Sequence, residues 1–227
     1  SVIKKKNILV LPNKSDNGRD KWQPSFKKYS KKNNYKIISI NDLYKIKNLI
    51  FISIEFEKII DTKKFISKEL FNFHFSLLPK YRGCHTNFFQ IFNGEKISGV
   101  TLHKINNGID TGPIIDSIKF RINKNTNAFK NYHILMNYSL RLLKKNFKRI
   151  FNEKYITKKQ ILKKGSYFSR SSVNYKKMKY FNLKKIDNKN FNKIKAFIFP
   201  PIQLPFLNNK KITDIRYVRN NIKITYD

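Results

Sequence analysis

Short apolar runs separated by polar stretches dominate the first part of the chain. KNILVL (6–11), KIISI (36–40) and NLIFISI (48–54) are typical of buried strands, because each is short, rich in branched residues and bounded by polar turn formers. Stretches with helical spacing, 25–33 and 56–66, separate these runs. The alternation of strands and helices predicts an α/β fold in which helices flank a mostly parallel sheet.

The middle of the chain continues this pattern and ends in a long helix. FNFHFSLL (71–78) is the next predicted strand, and 99–105 and 113–122 are two more, joined by the turn-like NNGIDTG. Apolar residues then recur at helical spacing, and we expect this helix to begin near Asn127 with Thr126 as its cap. This part of the chain therefore extends the sheet and supplies a helix that covers it.

The tail differs in character from the rest of the chain. It is aromatic and contains prolines, and a hairpin is predicted around Asn208 and Asn209. Because exposed aromatic side chains need covering, we expect the FPP stretch at 199–201 to lie in a subunit interface. We therefore predict a main domain, 1–164, and a small β-rich C-terminal subdomain, 165–227.

The strand FNFHF has one apolar face and one polar face. Phe71, Phe73 and Phe75 point to one side, so Asn72 and His74 share the other. Both lie near the carboxyl end of the strand, where parallel α/β sheets bind their ligands. A neutral imidazole exchanges a proton near neutral pH, and a carboxamide N–H donates to a developing oxyanion. The pair suits attack of a nucleophile on a carbonyl through a tetrahedral intermediate.

Asp110 is the candidate group that holds His74 and tunes its pKa. It lies in the loop GIDTG, where Gly108 and Gly112 let the backbone turn tightly. The competing interpretation is structural, because an isolated Asn-x-His on a strand is more often structural than catalytic. Spacing alone leaves both interpretations of Asn72, His74 and Asp110 open.

Other chemistries lack their residue patterns. The histidines do not stand at ligand spacing with carboxylates and there is one cysteine, Cys84, so we expect no metal site. His85, His103 and His133 are expected to be non-catalytic. There is neither a Walker A loop nor a GxGxxG fingerprint. The lone cysteine, with no predicted signal peptide and no apolar run of membrane-spanning length, predicts a cytoplasmic protein without a membrane partner.

The net charge of +35 comes from 49 Lys and Arg residues against 14 Asp and Glu residues. Such a surplus attracts anions, and nucleic acid is the obvious class. The lysines are spread evenly, however, as in a compositional drift at solvated positions rather than a patch. A nucleoside diphosphate therefore fits the charge as well as RNA does, and a non-catalytic basic nucleic-acid-binding protein stays open as an alternative.

Two long patterns bring a family resemblance. FNFHFSLLPKYRG, followed by GVTLHKINNGIDTGPII, resembles the catalytic core of the folate-dependent formyltransferases. The resemblance implies a Rossmann-like formyltransferase fold, in which Asn72, His74 and Asp110 are the catalytic residues. It also implies 10-formyltetrahydrofolate as formyl donor and no metal. With this match, the catalytic interpretation of the three residues becomes the leading one.

The remaining sequence is most similar to one branch of that family. YRGCHTNFFQ, together with SYFSRSSVNYKKM and KAFIFPPIQLP in the tail, resembles sugar N-formyltransferases, which act on nucleotide-linked amino sugars. This implies an amine acceptor of the dTDP-4-amino-4,6-dideoxyhexose type, used in surface glycan (lipopolysaccharide O-antigen) biosynthesis. It also implies a homodimer whose partners are a nucleotide sugar and folate rather than nucleic acid. A methionyl-tRNA formyltransferase-like enzyme is the main alternative.

The resemblance also suggests roles for residues that follow the strand. The apolar wall for the pterin is expected to consist of Leu77, Leu78 and Pro79. Backbone groups of the Asp110 loop are expected to contact the edge of the pterin. Substrate binding, including the diphosphate, is expected from four more: Lys80, Tyr81, Arg82 and Tyr167. Plain core packing of the leucines and solvated surface charge are the alternatives for these two groups.

Overall fold

The computed structural model describes residues 3–200, 202–219 and 221–227. The chain divides into two compact units, Ser1–Phe71 and Asn72–Asp227. The boundary expected between 164 and 165 lies inside the second unit. The division into a main domain and a C-terminal subdomain therefore stays a prediction.

The first unit contains short strands and two short helices. Their bounds are β1 (Leu9–Val10), α1 (Phe26–Lys32), β2 (Lys36–Ile37), α2 (Ile40–Tyr44) and β3 (Ile50–Ile54). β1 and β2 pair in parallel. Ser25 accepts a hydrogen bond from Lys28 N–H at the start of α1, and Ser39 and Asp42 form a capping box on α2. These caps fix where the two helices begin.

The helix predicted over 56–66 is wrong. The stretch holds a 3₁₀ turn, Thr62–Lys64, whose preceding Asp61 accepts a hydrogen bond from Lys63 N–H. The apolar residues do not share one face, since Ile59 is 78% exposed and Phe65 is 2% exposed. A local aspartate bond of this kind competes with helical backbone bonds, which explains the missing helix.

The strand β4 (Glu69–His74) lies beside β3 and leads into the second unit. It is followed by β5 (Arg82–Gly83), α3 (Thr86–Phe92), β6 (Ile97–Lys104) and β7 (Ile114–Arg121). In the sheet, β6 lies between β4 and β7, and β6 and β7 pair antiparallel with a register shift between Leu102 and His103. The shift leaves Ile115 of β7 as the extra residue opposite the step from Leu102 to His103.

The long helix α4 (Ala128–Phe151) follows β7. Its cap is Asn127, whose side chain accepts a hydrogen bond from Lys130 N–H, so the cap expected at Thr126 is displaced by one residue. Leu135 and Leu142 on its inner face are fully buried. The helix thus contributes the predicted apolar face to the core of the second unit.

The remaining elements form a β-rich tail. They are β8 (Tyr167–Phe168), α5 (Tyr175–Met178), β9 (Tyr180–Phe181), α6 (Asn188–Ala196), β10 (Phe206–Leu207), β11 (Lys210–Val218) and β12 (Asn221–Tyr226). The order in its sheet is β12-β11-β10-β9. Asn208 and Asn209, with φ angles of 47° and 65°, form the predicted turn between β10 and the antiparallel β11. The α/β fold class with a β-rich C-terminal appendage is confirmed.

The aromatic residues of the FPP region are not exposed as expected. Phe197 is 0% exposed and Phe199 is 8% exposed. The Phe197 ring packs 4.9 Å from that of Phe88, and the Phe199 ring 5.2 Å from that of Phe129. These two aromatic side chains are therefore already covered within the chain, so the argument that they need a subunit interface to cover them is wrong. Pro201 lies outside the described residues.

In the described ranges 3–200, 202–219 and 221–227, no helix combines the length and the apolar character needed to cross a membrane.

Candidate active site

β4 places Asn72 and His74 beside each other at its carboxyl end. Phe71, Phe73 and Phe75 are at most 2% exposed, so the strand is anchored through its apolar face. This leaves the carboxamide of Asn72 and the buried ring of His74 on the face predicted from the alternating sequence. The local pattern alone therefore sets the direction of both side chains.

Asp110 comes to the same place from the turn that follows β6. Its Oδ1 accepts from Asn72 Nδ2 at 3.3 Å, and its Oδ2 lies 3.4 Å from His74 Nδ1. Gly83 N–H also donates to Oδ2, at 2.8 Å. The structure thus brings together all three predicted catalytic residues, with the carboxylate at the centre.

The Asp110 loop is tightly constrained. Asp110 has a φ of 52°, in the left-handed region that costs energy for any residue with a side chain. At Gly112 a Cβ atom would lie 1.8 Å from the carbonyl oxygen of Lys104, so only glycine fits against the β6 backbone. The loop is therefore built for close approach, as the glycines in its sequence indicate.

His103 is a member of the site that the sequence interpretation missed. It is 2% exposed, and its Nε2 lies 3.3 Å from Asn72 Nδ2 and 3.5 Å from Asp110 Oδ1. Its Nδ1 is 2.7 Å from the carbonyl oxygen of Lys104, which can only accept, so Nδ1 carries a hydrogen. The expectation that His103 is non-catalytic stays a prediction, although its ring contacts two of the predicted catalytic residues.

The hydrogen bonds of His74 define its neutral form. Nε2 lies 2.7 Å from the carbonyl oxygen of Tyr81, which can only accept, so Nε2 carries the hydrogen. Nδ1 then has a free lone pair directed at Asp110 when the ring is neutral, and donates to Asp110 when the ring is protonated. Neutral His74 is thus a proton acceptor placed beside an anion.

Burial and charge set the protonation states of the pair. Burial lowers the pKa of His74, and the opposing influences of the Asp110 carboxylate and the Tyr81 carbonyl only partly offset it. For Asp110 burial acts to raise the pKa, but His74, His103 and the Gly83 N–H together bring it well below its usual value. Asp110 is therefore ionised near neutral pH, and His74 is neutral.

Hydrogen bonds of Ser166 join the segment after Pro79 to the region before β8. Ser166 Oγ accepts from Tyr81 N–H at 2.8 Å, the Ser166 carbonyl accepts from Arg82 N–H at 2.9 Å, and Ser166 N–H donates to Pro79 O at 3.3 Å. Because the Tyr81 carbonyl holds His74 and the Gly83 amide holds Asp110, these bonds position two backbone partners of the cluster.

The residues expected to form the pterin wall lie in different surroundings. Leu78 is 8% exposed, and its N–H donates to Thr101 Oγ1 at 3.1 Å. Leu77, together with Lys80 and Tyr81, lines a cavity of about 470 Å³ that none of the three catalytic candidates lines. The Tyr81 hydroxyl donates to Glu95 at 2.7 Å, and burial raises the pKa of Tyr81 to about 12. Their ligand roles stay predictions.

Arg82 and Tyr167 lie opposite each other in the β5–β8 pair. The Nε of Arg82 is buried and has no hydrogen-bond partner among the described residues. Tyr167 is 48% exposed. An unpaired guanidinium N–H beside an exposed ring is suited to an anionic ligand, because burying it without an acceptor is unfavourable.

Within the part of the chain that the structure describes, no group of three or more His, Cys, Asp or Glu side chains is arranged to hold a metal ion.

Comparison with protein families and curated proteins gives consistent matches. A family model described as formyl transferase matches residues 2–137. The bifunctional polymyxin resistance protein ArnA from Wigglesworthia glossinidia brevipalpis is 33% identical over 176 residues, which are 76% of this chain and 26% of ArnA. A methionyl-tRNA formyltransferase from Thermodesulfovibrio yellowstonii is 41% identical over 91 residues, 37% of this chain and 30% of that relative. The chain thus spans only a fraction of these curated relatives.

Solved structures match over nearly the whole chain. An N-formyltransferase from Helicobacter canadensis, in complex with folinic acid and dTDP-3-aminofucose, has a TM-score of 0.89 and 41% identity, covering 99% of this chain and 87% of that one. WlaRD, a sugar 3N-formyl transferase crystallised with dTDP and 5-N-formyl-THF, has a TM-score of 0.87 and 41% identity over 96% and 83%. A 4-N formyltransferase from Francisella tularensis, with a TM-score of 0.70 and 22% identity, shares the fold.

Proposed function

Because the chain belongs to the formyl transferase family, we propose that it moves a formyl group from 10-formyltetrahydrofolate to an amine of a nucleotide-linked amino sugar. The observation that carries this proposal is the meeting of Asn72, His74 and Asp110 around one buried carboxylate. The 41% identity to two structures with folate and dTDP ligands supports the same donor and acceptor classes.

The acceptor amine is proposed to be at position 3 of a dTDP-linked sugar. The sequence alone favoured a 4-amino-4,6-dideoxyhexose. The two structures at 41% identity carry a 3-amino sugar or are described as a 3N enzyme, whereas the 4-N enzyme is 22% identical. We therefore expect a 3-amino sugar to be the better substrate and a 4-amino sugar the poorer one.

In the proposed mechanism, His74 acts as the base. As the acceptor amine bonds to the formyl carbon, the Nδ1 lone pair takes the proton that the amine loses, and Asp110, 3.4 Å away, stabilises the imidazolium that results. The imidazolium then gives this proton to the departing folate nitrogen as the bond from that nitrogen to the formyl carbon breaks. The bond from Nε2 to the Tyr81 carbonyl holds the ring in the tautomer that this step needs. Asp110 stays ionised throughout, because its pKa lies well below the usual value.

Asn72 is proposed to stabilise the oxygen on which negative charge develops. Its Nδ2 contacts two groups in this structure, Asp110 Oδ1 and His103 Nε2, each at 3.3 Å. The contact with the carboxylate is the charge-assisted one, so a developing anion displaces the contact with His103. Asn72 thus has a hydrogen available when charge develops.

The residues present fit a formyl donor. The bound 10-formyltetrahydrofolate supplies the formyl group, and the cluster offers both an N–H donor for an oxygen and an acceptor for a proton. Asn72, His74 and the Asp110 loop are the residues proposed to hold its reactive end. Arg82, with its buried unpaired Nε, is proposed to bind an anionic part of a ligand, assisted by Lys80 and Tyr167.

The proposal is tested by following folate release with a panel of dTDP-3-amino, dTDP-4-amino and UDP-amino sugars. The wild type is expected to turn over at least one dTDP-amino sugar, and Asn72→Ala to lose on the order of a hundredfold or more in rate. Charged initiator methionyl-tRNA is included as an acceptor, since methionyl-tRNA formyltransferases are among the relatives. Turnover with this tRNA and with none of the sugars would replace the proposed acceptor.

We also propose that the enzyme is a homodimer that works in the cytoplasm on precursors of surface glycans such as O-antigen. The sequence resemblance to sugar N-formyltransferases implies this setting. Light scattering at micromolar concentration is expected to give twice the chain mass of 27.2 kDa, and a monomer would contradict the oligomeric part. Loss of the formylated sugar from surface glycan after deletion of the gene would support the cellular part.

A further inference from the structure

A side chain from a distant part of the chain holds the loop that carries Asp110. Gln160, which follows α4, is 8% exposed. Its Nε2 donates to the carbonyl oxygen of Asp110 at 2.9 Å and to that of Gly112 at 2.6 Å. One carboxamide therefore bridges the two ends of the Asp110–Gly112 turn, and we call this pair of hydrogen bonds the clamp.

The segment that carries Gln160 is itself fixed by backbone bonds. Ile114 N–H donates to Lys158 O at 2.8 Å, and Lys158 N–H donates to Ile114 O at 2.7 Å. These bonds pair the segment with the start of β7, immediately after the loop. The backbone that carries Gln160 is thus held in place independently of the Gln160 side chain.

The orientation of the Gln160 amide is dictated by its surroundings. A flipped amide would place Oε1 against two carbonyl oxygens, which are both acceptors, so only Nε2 fits there. In this orientation Oε1 is buried and has no hydrogen-bond partner among the described residues. Leaving a buried acceptor unpaired is unfavourable, so the two bonds to the loop outweigh a real cost.

We propose that Gln160 is a positioning residue, which holds the backbone of Asp110 so that its carboxylate faces His74 and Asn72. Gln160 acts through the loop, since its Nε2 donates to the carbonyls of Asp110 and Gly112. The inference deepens the proposed formyl transfer and rests on it for its effect on rate. The effect on the loop itself does not depend on any substrate.

Three single variants of the full chain test the clamp. Gln160→Leu removes both hydrogen bonds at similar volume. Gln160→Glu keeps the shape but, when ionised, places a carboxylate against the two carbonyl oxygens. Lys159→Leu is the matched control, because Lys159 lies next to Gln160 and is exposed. Circular dichroism and thermal melting establish that each protein is folded.

Hydrogen exchange of the ligand-free proteins is the first measurement. Peptides covering 105–113 are expected to exchange about tenfold faster in Gln160→Leu than in the wild type, because two bonds that restrain the loop are lost. Lys159→Leu is expected to match the wild type. Equal exchange in all three proteins would overturn the clamp, whatever reaction the enzyme catalyses.

Steady-state kinetics against pH is the second measurement. Gln160→Leu is expected to lower kcat about tenfold while KM for the nucleotide sugar changes less than about twofold. In Gln160→Glu, kcat relative to the wild type is expected to rise as pH falls, because only the protonated acid donates a bond to the loop. A merely structural role would not produce this pH-dependent recovery, and its absence together with a normal kcat in Gln160→Leu would contradict the proposal.

The two proposals fail in different ways. If the wild type turns over no amino sugar, the proposed function is lost, while the exchange experiment still decides the clamp. If Gln160→Leu does not fold, Gln160→Glu takes its place: it is compared at neutral pH, where the ionised carboxylate donates no bond, and at low pH, where the protonated acid restores one. If the wild type is active and both Gln160 variants keep its kcat and its hydrogen exchange, the proposal for Gln160 is wrong. The proposed function would then still stand.

Discussion

Two buried polar networks lie at the end of β4, and they are built from different chemistry. One surrounds Asp110, where a carboxylate meets two imidazoles, an amide and a backbone N–H. The other surrounds Gln90, whose Nε2 donates to Phe75 O at 2.7 Å and whose Oε1 accepts from Ser98 Oγ at 2.5 Å and Asn131 Nδ2 at 3.1 Å. The first network is ionised, and the second is neutral.

The contrast separates a catalytic candidate from a structural device. In the Gln90 network no named side chain changes charge near neutral pH, so the network is suited to fixing α3 against β4, β6 and α4. In the Asp110 network a proton can be gained at His74 Nδ1, and burial makes that change energetically large. Burial and hydrogen bonding alone therefore do not mark an active site; the capacity to change charge does.

The largest expected effect comes from neutralising the charged network. Asp110→Asn removes the anion that stabilises protonated His74, and kcat is expected to fall on the order of a hundredfold to a thousandfold. Folding should be retained, because the amide is nearly isosteric. The check is kcat in the folate-release assay alongside a urea unfolding curve. A variant with wild-type kcat would remove the distinction between the two networks.

Removing the neutral network should affect stability instead. Gln90→Leu leaves Ser98 and the Phe75 carbonyl without their partner, and the free energy of unfolding is expected to fall by about 1–3 kcal/mol. The folded variant should keep kcat within about threefold, because the hydrogen bonds of Gln90 are to Phe75, Ser98 and Asn131 rather than to the Asp110 network. Urea unfolding measures the first quantity. A hundredfold loss of kcat in a stable variant would show that the networks are coupled.

A smaller effect is expected at His103, which belongs to the charged network without being its base. His103→Leu removes one contact with Asn72 and one contact with Asp110, so kcat is expected to fall about tenfold. Stopped-flow single turnover measures the chemical step directly. His133→Leu, at a histidine on α4 outside this network, is the control and should leave the step unchanged.

The smallest effect is a shift in pH dependence. Burial lowers the pKa of His74, so the acidic limb of kcat is expected below the usual histidine value of about 6.5. The activity is lost as pH falls, because protonated His74 cannot accept a proton. Asp110 acts to raise this pKa, so in Asp110→Asn the limb should move to still lower pH. A movement to higher pH would contradict the assignment of His74 as the base.

The sequence predicted the parts of the site that are local. Asn72 and His74 follow from alternation in one strand, and Asp110 from a glycine-flanked turn and the family resemblance. The contacts of His103 with Asn72 and Asp110 were missed because they join distant parts of the chain, which alternation within one strand does not reveal. Gln160 was missed because nothing in its own neighbourhood signals a bond to carbonyls some fifty positions away.

In the fold, too, the elements predicted correctly are those whose determinants are local in the sequence. Strands with branched apolar residues and the asparagine hairpin at Asn208 and Asn209 were found, because their determinants lie within a few residues. The helix expected over 56–66 failed, since one local aspartate bond outweighed a weak apolar spacing. Aromatic residues such as Phe197 were misjudged because their burial depends on α3, far away in sequence.

The hydrogen bonds that Ser166 makes to the segment after Pro79 have a consequence for folding during synthesis. The Tyr81 backbone that holds His74 receives its support from a residue translated long after the strand itself. A nascent chain that has emerged only as far as α4 contains Asn72, His74 and Asp110 but lacks both Gln160 and Ser166. We therefore expect the emerging polypeptide to acquire catalytic competence late, in a step that follows translation of the residues after the long helix.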